Sequence, residues 1–314
     1  MGVMGIAEIM DRAVNIFKKR IGYFALFSLI SGGIFIVLYY LITTPFSLLL
    51  LSFSEIWGLL LFIAVLFLIL MIFAFSYAIG IMEIIRQDIF FNKLSVASAI
   101  ASVFKNIPKT IAIVIINSIL FFPLIAVYIF FLYYFDVVLS ENIIIDLVTT
   151  DALYIIIFVI LCLLGNIIFV AFMGFTLFCL FVVVEENCGI IDALNKALWL
   201  IKNEIFKILW SLTVIEMTVF SIYLSLISFS LIISGIIIAI CMSFFKLNEL
   251  MTTLLVLPLS LLNWSLSQIT FLIIGILAII MACLLCYNQK FKKEGYDIII
   301  RLTQLENRKR SVKQ

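Results

Sequence analysis

Residues 59–81 read LLLFIAVLFLILMIFAFSYAIGI, a continuous apolar stretch without a charged side chain. A helix needs about 20 predominantly apolar residues to cross the hydrocarbon core of a bilayer. The whole chain has the same character, because 66% of its 314 residues are hydrophobic and only 12% are charged, with a mean hydropathy of +1.34. A soluble domain carries about 25% charged residues. The composition therefore predicts an integral membrane protein.

Apolar runs long enough to span a bilayer lie near residues 21–43, 57–83, 110–135, 153–184, 205–230 and 266–288. All Lys and Arg residues except Lys246 lie at the chain ends or in alternate connections, in 1–20, 86–109, 196–207 and 290–313. The other connections carry the acidic residues Glu55, Asp136, Glu141, Asp146, Asp151 and Glu249. Positively charged segments stay cytoplasmic. We therefore predict one all-α domain over 1–314 with six transmembrane helices and both termini in the cytoplasm, in the cytoplasmic (inner) membrane of a prokaryote.

The stretch 205–288 is longer than two spans require. Its first apolar run extends to Phe245 and would measure about 60 Å as a helix, twice the hydrocarbon core of about 30 Å. The short apolar piece 253–265 contains Pro258. We expect two crossings here, with outward-facing, interfacial or re-entrant material around 231–265.

Amphipathic segments precede the first, third and fifth spans. GIAEIMDRAVNIFKKRI (5–21) aligns without gaps with GIIDALNKALWLIKNEI (189–205), and KLSVASAIASVFKNIPK (93–109) fits the same pattern with Lys93 as a departure. Apolar residues recur at the spacing of one helix face, as in Ile6, Met10, Ala13 and Phe17. The pattern predicts three pseudo-repeats, about 5–85, 92–184 and 189–290, each with a cytoplasmic amphipathic helix before two spans, and a cytoplasmic tail over 291–314. The alternative is that any helix entering a membrane begins in this way.

The last span ends in CYNQKFKKEGYDIII (286–300), in which Tyr287 and three lysines precede Glu-Gly-Tyr-Asp. With the six spans and the opening EIMDRAVNIFKKR, this resembles the membrane domain of the glycerophosphoryl diester phosphodiesterase membrane-region family. That family typically ends its last span with a tyrosine, basic residues and Glu-Gly-aromatic-Asp; Asn288 stands where it tends to carry an acidic residue. The phosphodiesterase chemistry of the family's fused members belongs to a separate soluble domain. The resemblance therefore implies a membrane domain without that activity.

The closing motif has a topological explanation as a cytoplasmic exit motif, made of Lys292, Lys293, Glu294, Gly295, Tyr296 and Asp297. Together with Lys290, its lysines would meet anionic head groups, each worth about 1 kcal/mol. Gly295 can adopt a positive φ and turn the chain out of the helix. We expect a topological anchor, with a docking or active site as the alternative.

Glu216 is an acidic residue deep inside a predicted span, where a carboxylate is costly unless it is paired, protonated or hydrated. Thr213 and Tyr223 share its helix face, and Asn166 of the fourth span could face it. This candidate intramembrane polar site is either a path for a polar head group or a proton, or a set of hydrogen bonds that stabilises the bundle. Because no Lys or Arg lies at the same depth, we expect a protonated acid.

No catalytic constellation is evident: histidine is absent, and so are a phosphate-binding glycine loop and zinc-ligand spacing. Cys283 and Cys286 form a C-x-x-C inside a span, which is more typical of small apolar side chains than of a metal site. We predict no catalytic residue, no metal and no cofactor. The basic run 308–310 is expected to contact solvent or lipid, and we expect no nucleic-acid binding.

Two functional hypotheses follow. The first is a non-enzymatic multipass protein, in contact with membrane lipids, that handles, exports or gives protection against an amphiphilic molecule. The alternative is a membrane anchor or organising subunit for a lipid-active enzyme or a transport ATPase, which would dock on the amphipathic helices. An intramembrane enzyme would depend on Glu216 alone.

Overall fold

The computed structural model describes residues 4–50, 55–91, 94–141, 147–245 and 249–295. These residues form helices and no strand: α1 (Ile6–Leu50), α2 (Glu55–Phe90), α3 (Val96–Glu141), α4 (Leu147–Glu186), α5 (Ile190–Ile201), α6 (Ile205–Phe245) and α7 (Glu249–Glu294). Six segments are long and apolar enough to cross a membrane: Ile6–Thr44, Val65–Phe90, Val96–Tyr133, Ile156–Glu186, Ile205–Met242 and Pro258–Glu294. The prediction of an all-α protein with six spans is confirmed. The predicted tail lies, apart from residues 291–295, outside the described residues.

Three helices form the centre of the bundle. α2, α4 and α7 contact one another, while α1 lies against α2 and α7, α3 against α2 and α4, and α6 against α4 and α7. Buried side chains concentrate near the carboxyl ends of the inner helices, at 75–89, 178–184 and 280–291. The outer helices expose Ile, Leu and Phe side chains along most of their length. Such a surface is covered by lipid in a membrane protein, where every helix satisfies its own backbone.

The first described residue and the end of α7 lie together. The Met4 N–H donates to Asn288 Oδ1 at 2.8 Å, and Asn288 Nδ2 donates to Met4 O at 3.0 Å. At the same end of the bundle, Arg20 of α1 pairs with Asp88 of α2 at 2.6 Å. We call this the charged end; it comprises α5, α1 as far as Arg20, the first turns of α3 and α6, and the last turns of α2, α4 and α7. Which side of the membrane the charged end faces stays a prediction.

The amphipathic segments join their spans in three different ways. Arg20 has non-helical angles inside α1 (φ −121, ψ 17), and a turn with Asn203 at φ 74 separates α5 from α6. When the first amphipathic segment is aligned with the third, Arg20 falls one residue away from the position of Asn203. The second copy has Pro108 next to the equivalent position, inside the continuous helix α3. The arrangement is the one that three helix-pair repeats would produce, and the sequence repeat itself stays a prediction.

The described part of the region 231–265 does not contain the re-entrant segment that was one of the three expected alternatives. α6 continues without a break to Phe245, and α7 includes Pro258 within a helix that begins at Glu249. Ser230 Oγ and Ser234 Oγ donate to Asn263 Oδ1 at 2.6 and 3.1 Å and so join α6 to α7 through this region. The described residues therefore form a long helical pair here and no re-entrant segment. The physical reason is that a neighbouring helix and its polar side chains allow a membrane helix to tolerate the missing N–H of proline.

Candidate functional site

Glu216 on α6 faces α4. Its carboxyl group is hydrogen-bonded to the Asn166 side chain. The two helices approach closely near this level because Gly174 of α4 has no side chain, and a Cβ added there would overlap Leu212 of α6. Small residues permit such close contact between membrane helices. Of the four residues in the predicted polar site, the structure thus brings two together.

The Glu216–Asn166 pair has two unsatisfied oxygens. Glu216 Oε2 and Asn166 Oδ1 are buried and have no hydrogen-bond partner in the part of the chain that the structure describes. The bond that is made therefore uses Asn166 Nδ2 as its donor, and an ionised carboxylate has no hydrogen to offer the amide oxygen. A proton on Glu216 would give its carboxyl group a hydrogen to donate. The protonation state of Glu216 stays a prediction.

Thr213 and Tyr223, on the same face of α6, form their hydrogen bonds with residues other than Glu216 and Asn166. Thr213 Oγ1 donates to Leu209 O of its own helix at 2.9 Å. Tyr223 Oη lies 3.0 Å from Ser267 Oγ of α7. The polar face therefore joins α6 to α4 at one level and to α7 at another, and the four predicted residues do not form one site. This division favours the bundle-stabilising interpretation over a continuous polar path.

The residues that precede the exit motif are packed inside the protein. Lys290 is only 3% exposed, and its Nζ lies 2.9 Å from Glu186 Oε1 of α4. Tyr287 Oη donates to Glu185 Oε2 at 2.9 Å. Lys290 therefore does not meet lipid head groups, contrary to the sequence interpretation. The reason is that α4 ends beside α7 and presents two carboxylates to it.

The motif itself contacts the α5–α6 region. Lys292 forms an ion pair with Glu204 in the turn before α6, and this hydrogen bond holds the pKa of Glu204 below its ordinary value. Lys293 Nζ donates to Lys202 O at 2.7 Å, and Glu294 Oε1 accepts from Lys196 Nζ of α5 at 2.9 Å. Gly295 has the expected positive φ of 60°. The motif thus holds α5 against the end of α7 through hydrogen bonds and ion pairs. Tyr296 and Asp297 lie outside the described residues.

A partly buried ionic cluster at the charged end was missed by the sequence analysis. Arg86 Nε and Nη2 donate to the two oxygens of Glu83, both at 2.9 Å. Arg86 also interacts electrostatically with Glu185 and Tyr287, so the cluster joins all three inner helices. Tyr287 follows Glu185 by 102 residues, and Glu185 follows Glu83 by the same interval. This regular spacing is the signal that could have located the cluster.

An apolar groove of about 270 Å³ lies between α1, α2 and α3. Its walls include Ile34, Leu38, Ile69, Phe73, Val103 and Ile107. On α1 it extends from Phe27 to Ile42, which corresponds to about 22 Å of helix. Ser76 Oγ is a buried polar atom of the groove without a hydrogen-bond partner. The groove is therefore long and apolar.

Metal chemistry has no evident centre in the described part of the chain, where no group of three or more His, Cys, Asp or Glu residues could hold an ion. Cys283 and Cys286 are both buried in α7 as free cysteines. Comparison with family models, with curated proteins and with solved structures gives no match to this chain. The resemblance to the glycerophosphoryl diester phosphodiesterase membrane-region family stays a prediction. The chain is a six-span, helical, multipass membrane protein with a polar, ion-paired end and an apolar groove.

Proposed function

We propose that this protein is non-enzymatic and handles an amphiphilic molecule, whose apolar part it binds in the groove between α1, α2 and α3. The observation that carries the proposal is the groove itself, which three helices enclose and which is lined almost entirely by apolar side chains. Aromatic rings form much of its wall. The ring centroids of Phe27 and Tyr77 are 5.5 Å apart, and those of Phe35 and Phe73 are 3.6 Å apart. Handling here includes export of the molecule or protection of the cell against it.

The polar groups of the groove give it a basis for selectivity. Lipid tails are as apolar as the groove, so apolar contact alone gives a ligand little advantage over bulk lipid. The Tyr77 hydroxyl of the groove lies 2.6 Å from the Ser28 hydroxyl, and the neighbouring Ser76 hydroxyl has no hydrogen-bond partner among the described residues. An amphiphile with a hydrogen-bonding group near its apolar chain would satisfy Ser76. Such a ligand would be preferred over a simple acyl chain.

The proposal is tested by filling the groove. Ile34 lines the groove, whereas Ile36, two residues along α1, is 56% exposed on another face. We expect the full-length Ile34→Trp protein to lose a co-purifying amphiphile, measured by native mass spectrometry of protein extracted from its membrane. The matched Ile36→Trp variant should retain it. Equal occupancy in the two variants, or no bound amphiphile in the unmodified protein, would contradict the proposal.

The same purification tests the anchoring alternative. α5 buries Ala193 and Ala197 against the bundle and leaves Ile191, Leu198 and Trp199 exposed. That apolar face could lie on the membrane surface or receive a partner. A stoichiometric soluble protein that remains with the chain, together with an empty groove, would favour the anchoring function.

A further inference from the structure

A polar pocket of about 310 Å³ lies at the charged end, between α2, α3 and the end of α4. Its lining includes Glu83 and Arg86 of α2, and Ser98, Ser102, Lys105 and Asn106 of α3. The apolar groove uses Ile100 of the same α3 segment, which lies about 160° around the helix from Ser98 and Ser102 of the pocket. The pocket is therefore a second site, separated from the groove by α3.

The α3 wall of the pocket is fixed by α2. Gln87 Oε1 accepts from the Ser95 N–H at 2.9 Å, and Gln87 Nε2 donates to Ser98 Oγ at 3.1 Å. The same amide nitrogen donates to Glu83 Oε1 at 3.0 Å. One side chain therefore satisfies a backbone donor at the start of α3 and helps to position the acidic residue of the pocket. The pocket has a defined geometry before any ligand enters.

The pocket carries an excess of positive charge. Both oxygens of Glu83 accept hydrogen bonds from Arg86, which leaves the Nη1 hydrogens of this 31% exposed guanidinium without a partner among the described residues. Lys105 is exposed and forms no ion pair in the described part of the chain. Glu185, which also lies near Arg86, is bonded to Tyr287. Arg86 and Lys105 therefore carry two positive charges against the one negative charge of Glu83, which leaves the lining with one net positive charge.

Asn106 adds a buried acceptor that lacks a donor. The residue is 3% exposed, and its Nδ2 donates to Ser102 O at 2.9 Å. This bond fixes the orientation of the amide, and its Oδ1 has no hydrogen-bond partner within the described ranges of the chain. Leaving a buried acceptor unpaired is costly. A ligand that brings a hydrogen-bond donor would remove that cost.

We propose that the pocket binds a phosphate-type oxyanion that retains one P–OH group, as a phosphomonoester head group or as free phosphate. Arg86 Nη1 and Lys105 Nζ would donate to its anionic oxygens, since such charge-assisted hydrogen bonds are the strong ones. The P–OH group would donate to Asn106 Oδ1. An ionised carboxylate has only acceptor atoms and would leave Asn106 unsatisfied. The combination of two cations with one unpartnered acceptor therefore selects a hydrogen phosphate over a carboxylate.

The test uses the full-length protein in nanodiscs of phosphatidylcholine, whose head group has neither a P–OH nor an N–H donor. In one arm inorganic phosphate is titrated and its binding is followed by ³¹P line broadening. In the other arm phosphatidic acid is included in the nanodisc, and its retention is counted by native mass spectrometry. Lys105→Gln should weaken binding about 10-fold or more, as expected for loss of one charge-assisted hydrogen bond. Asn106→Leu should also weaken it, because it removes the acceptor.

Lys18→Gln is the matched control, because Lys18 is an exposed lysine at the charged end that does not line the pocket. It removes the same charge and should leave binding unchanged. Binding in the phosphate arm alone would identify free phosphate as the ligand, and retention of phosphatidic acid alone would identify a lipid head group; both support the site. Absence of binding in both arms, or equal losses in Lys105→Gln and Lys18→Gln, would overturn it. Ile34→Trp should leave phosphate binding intact, so this proposal and the groove proposal fail separately.

Discussion

Replacing Glu216 with Gln tests the hydrogen-bonded pair between α6 and α4. If Glu216 carries a proton, Gln reproduces its pattern, because Nε2–H replaces the carboxyl O–H as the donor to Asn166 Oδ1. The remaining Gln oxygen still accepts from Asn166 Nδ2. Glu216→Leu has a similar volume but leaves the amide of Asn166 without either partner. The two substitutions therefore separate hydrogen bonding from packing.

The structure sets the expected magnitudes. Hydrogen bonds between membrane helices contribute about 0.6 kcal/mol each on average, so a doubly bonded acid–amide pair contributes roughly 1.2 kcal/mol. We expect Glu216→Gln to change the free energy of unfolding by less than about 0.5 kcal/mol, which is less than one such bond. Glu216→Leu should cost about 1 kcal/mol or more, because it also leaves buried amide atoms unpaired. Neither change is large enough to abolish accumulation of the protein.

Two measurements check the argument. Thermal melting in one detergent compares the unmodified protein, Glu216→Gln and Glu216→Leu, and infrared spectroscopy looks for a protonated carboxyl band that disappears in Glu216→Gln. If Glu216→Gln lowers the melting temperature as much as Glu216→Leu does, the native carboxylate is charged and paired, and the reasoning is wrong. Absence of the protonated band would lead to the same conclusion. Loss of function in a Glu216→Gln protein that accumulates normally would instead indicate proton transfer or cation binding at this residue.

Other predictions concern the charged end and the topology. Lys290→Met removes the buried cation that faces two glutamates of α4, and loss of one partner from a buried ion pair costs about 3–5 kcal/mol. Its melting temperature should fall much further than that of Lys292→Gln. The Lys292 side chain is 38% exposed, and an exposed ion pair contributes at most about 1 kcal/mol. Equal decreases in the two variants would contradict the burial of Lys290. In a cysteine-free background, single cysteines at Lys18 and Asp146 should react with impermeant reagents from opposite sides of the membrane, Lys18 from the cytoplasm. Labelling of both from the same side would rule out the six-span topology.

The amino-acid sequence by itself determined the class of protein and the number of potential spans. A lipid-exposed segment must satisfy its backbone internally, so an apolar run such as 59–81 has few alternatives to a spanning helix. The placement of Lys and Arg in alternate segments predicted that both ends of the chain lie on the same side of the membrane, and the contact of Met4 with Asn288 places residue 4 and the last turns of α7 at one end of the bundle. Gly295 could be identified as a turn because its missing Cβ allows the positive φ that the structure contains. These features depend on the properties of single residues and on local periodicity.

The tertiary structure alone decided which polar side chains meet. Lys290 and Lys292 have similar sequence surroundings, yet one is buried against Glu186 and the other lies near the surface with Glu204. Glu216 found its partner on α4, whereas Tyr223 on the same face found one on α7. Hydropathy does not distinguish a side chain that faces lipid from one that faces a groove or another helix, because all these surroundings are apolar. The groove and the polar pocket arise only where three helices from distant parts of the sequence come together, and local sequence patterns carry no information about those distances.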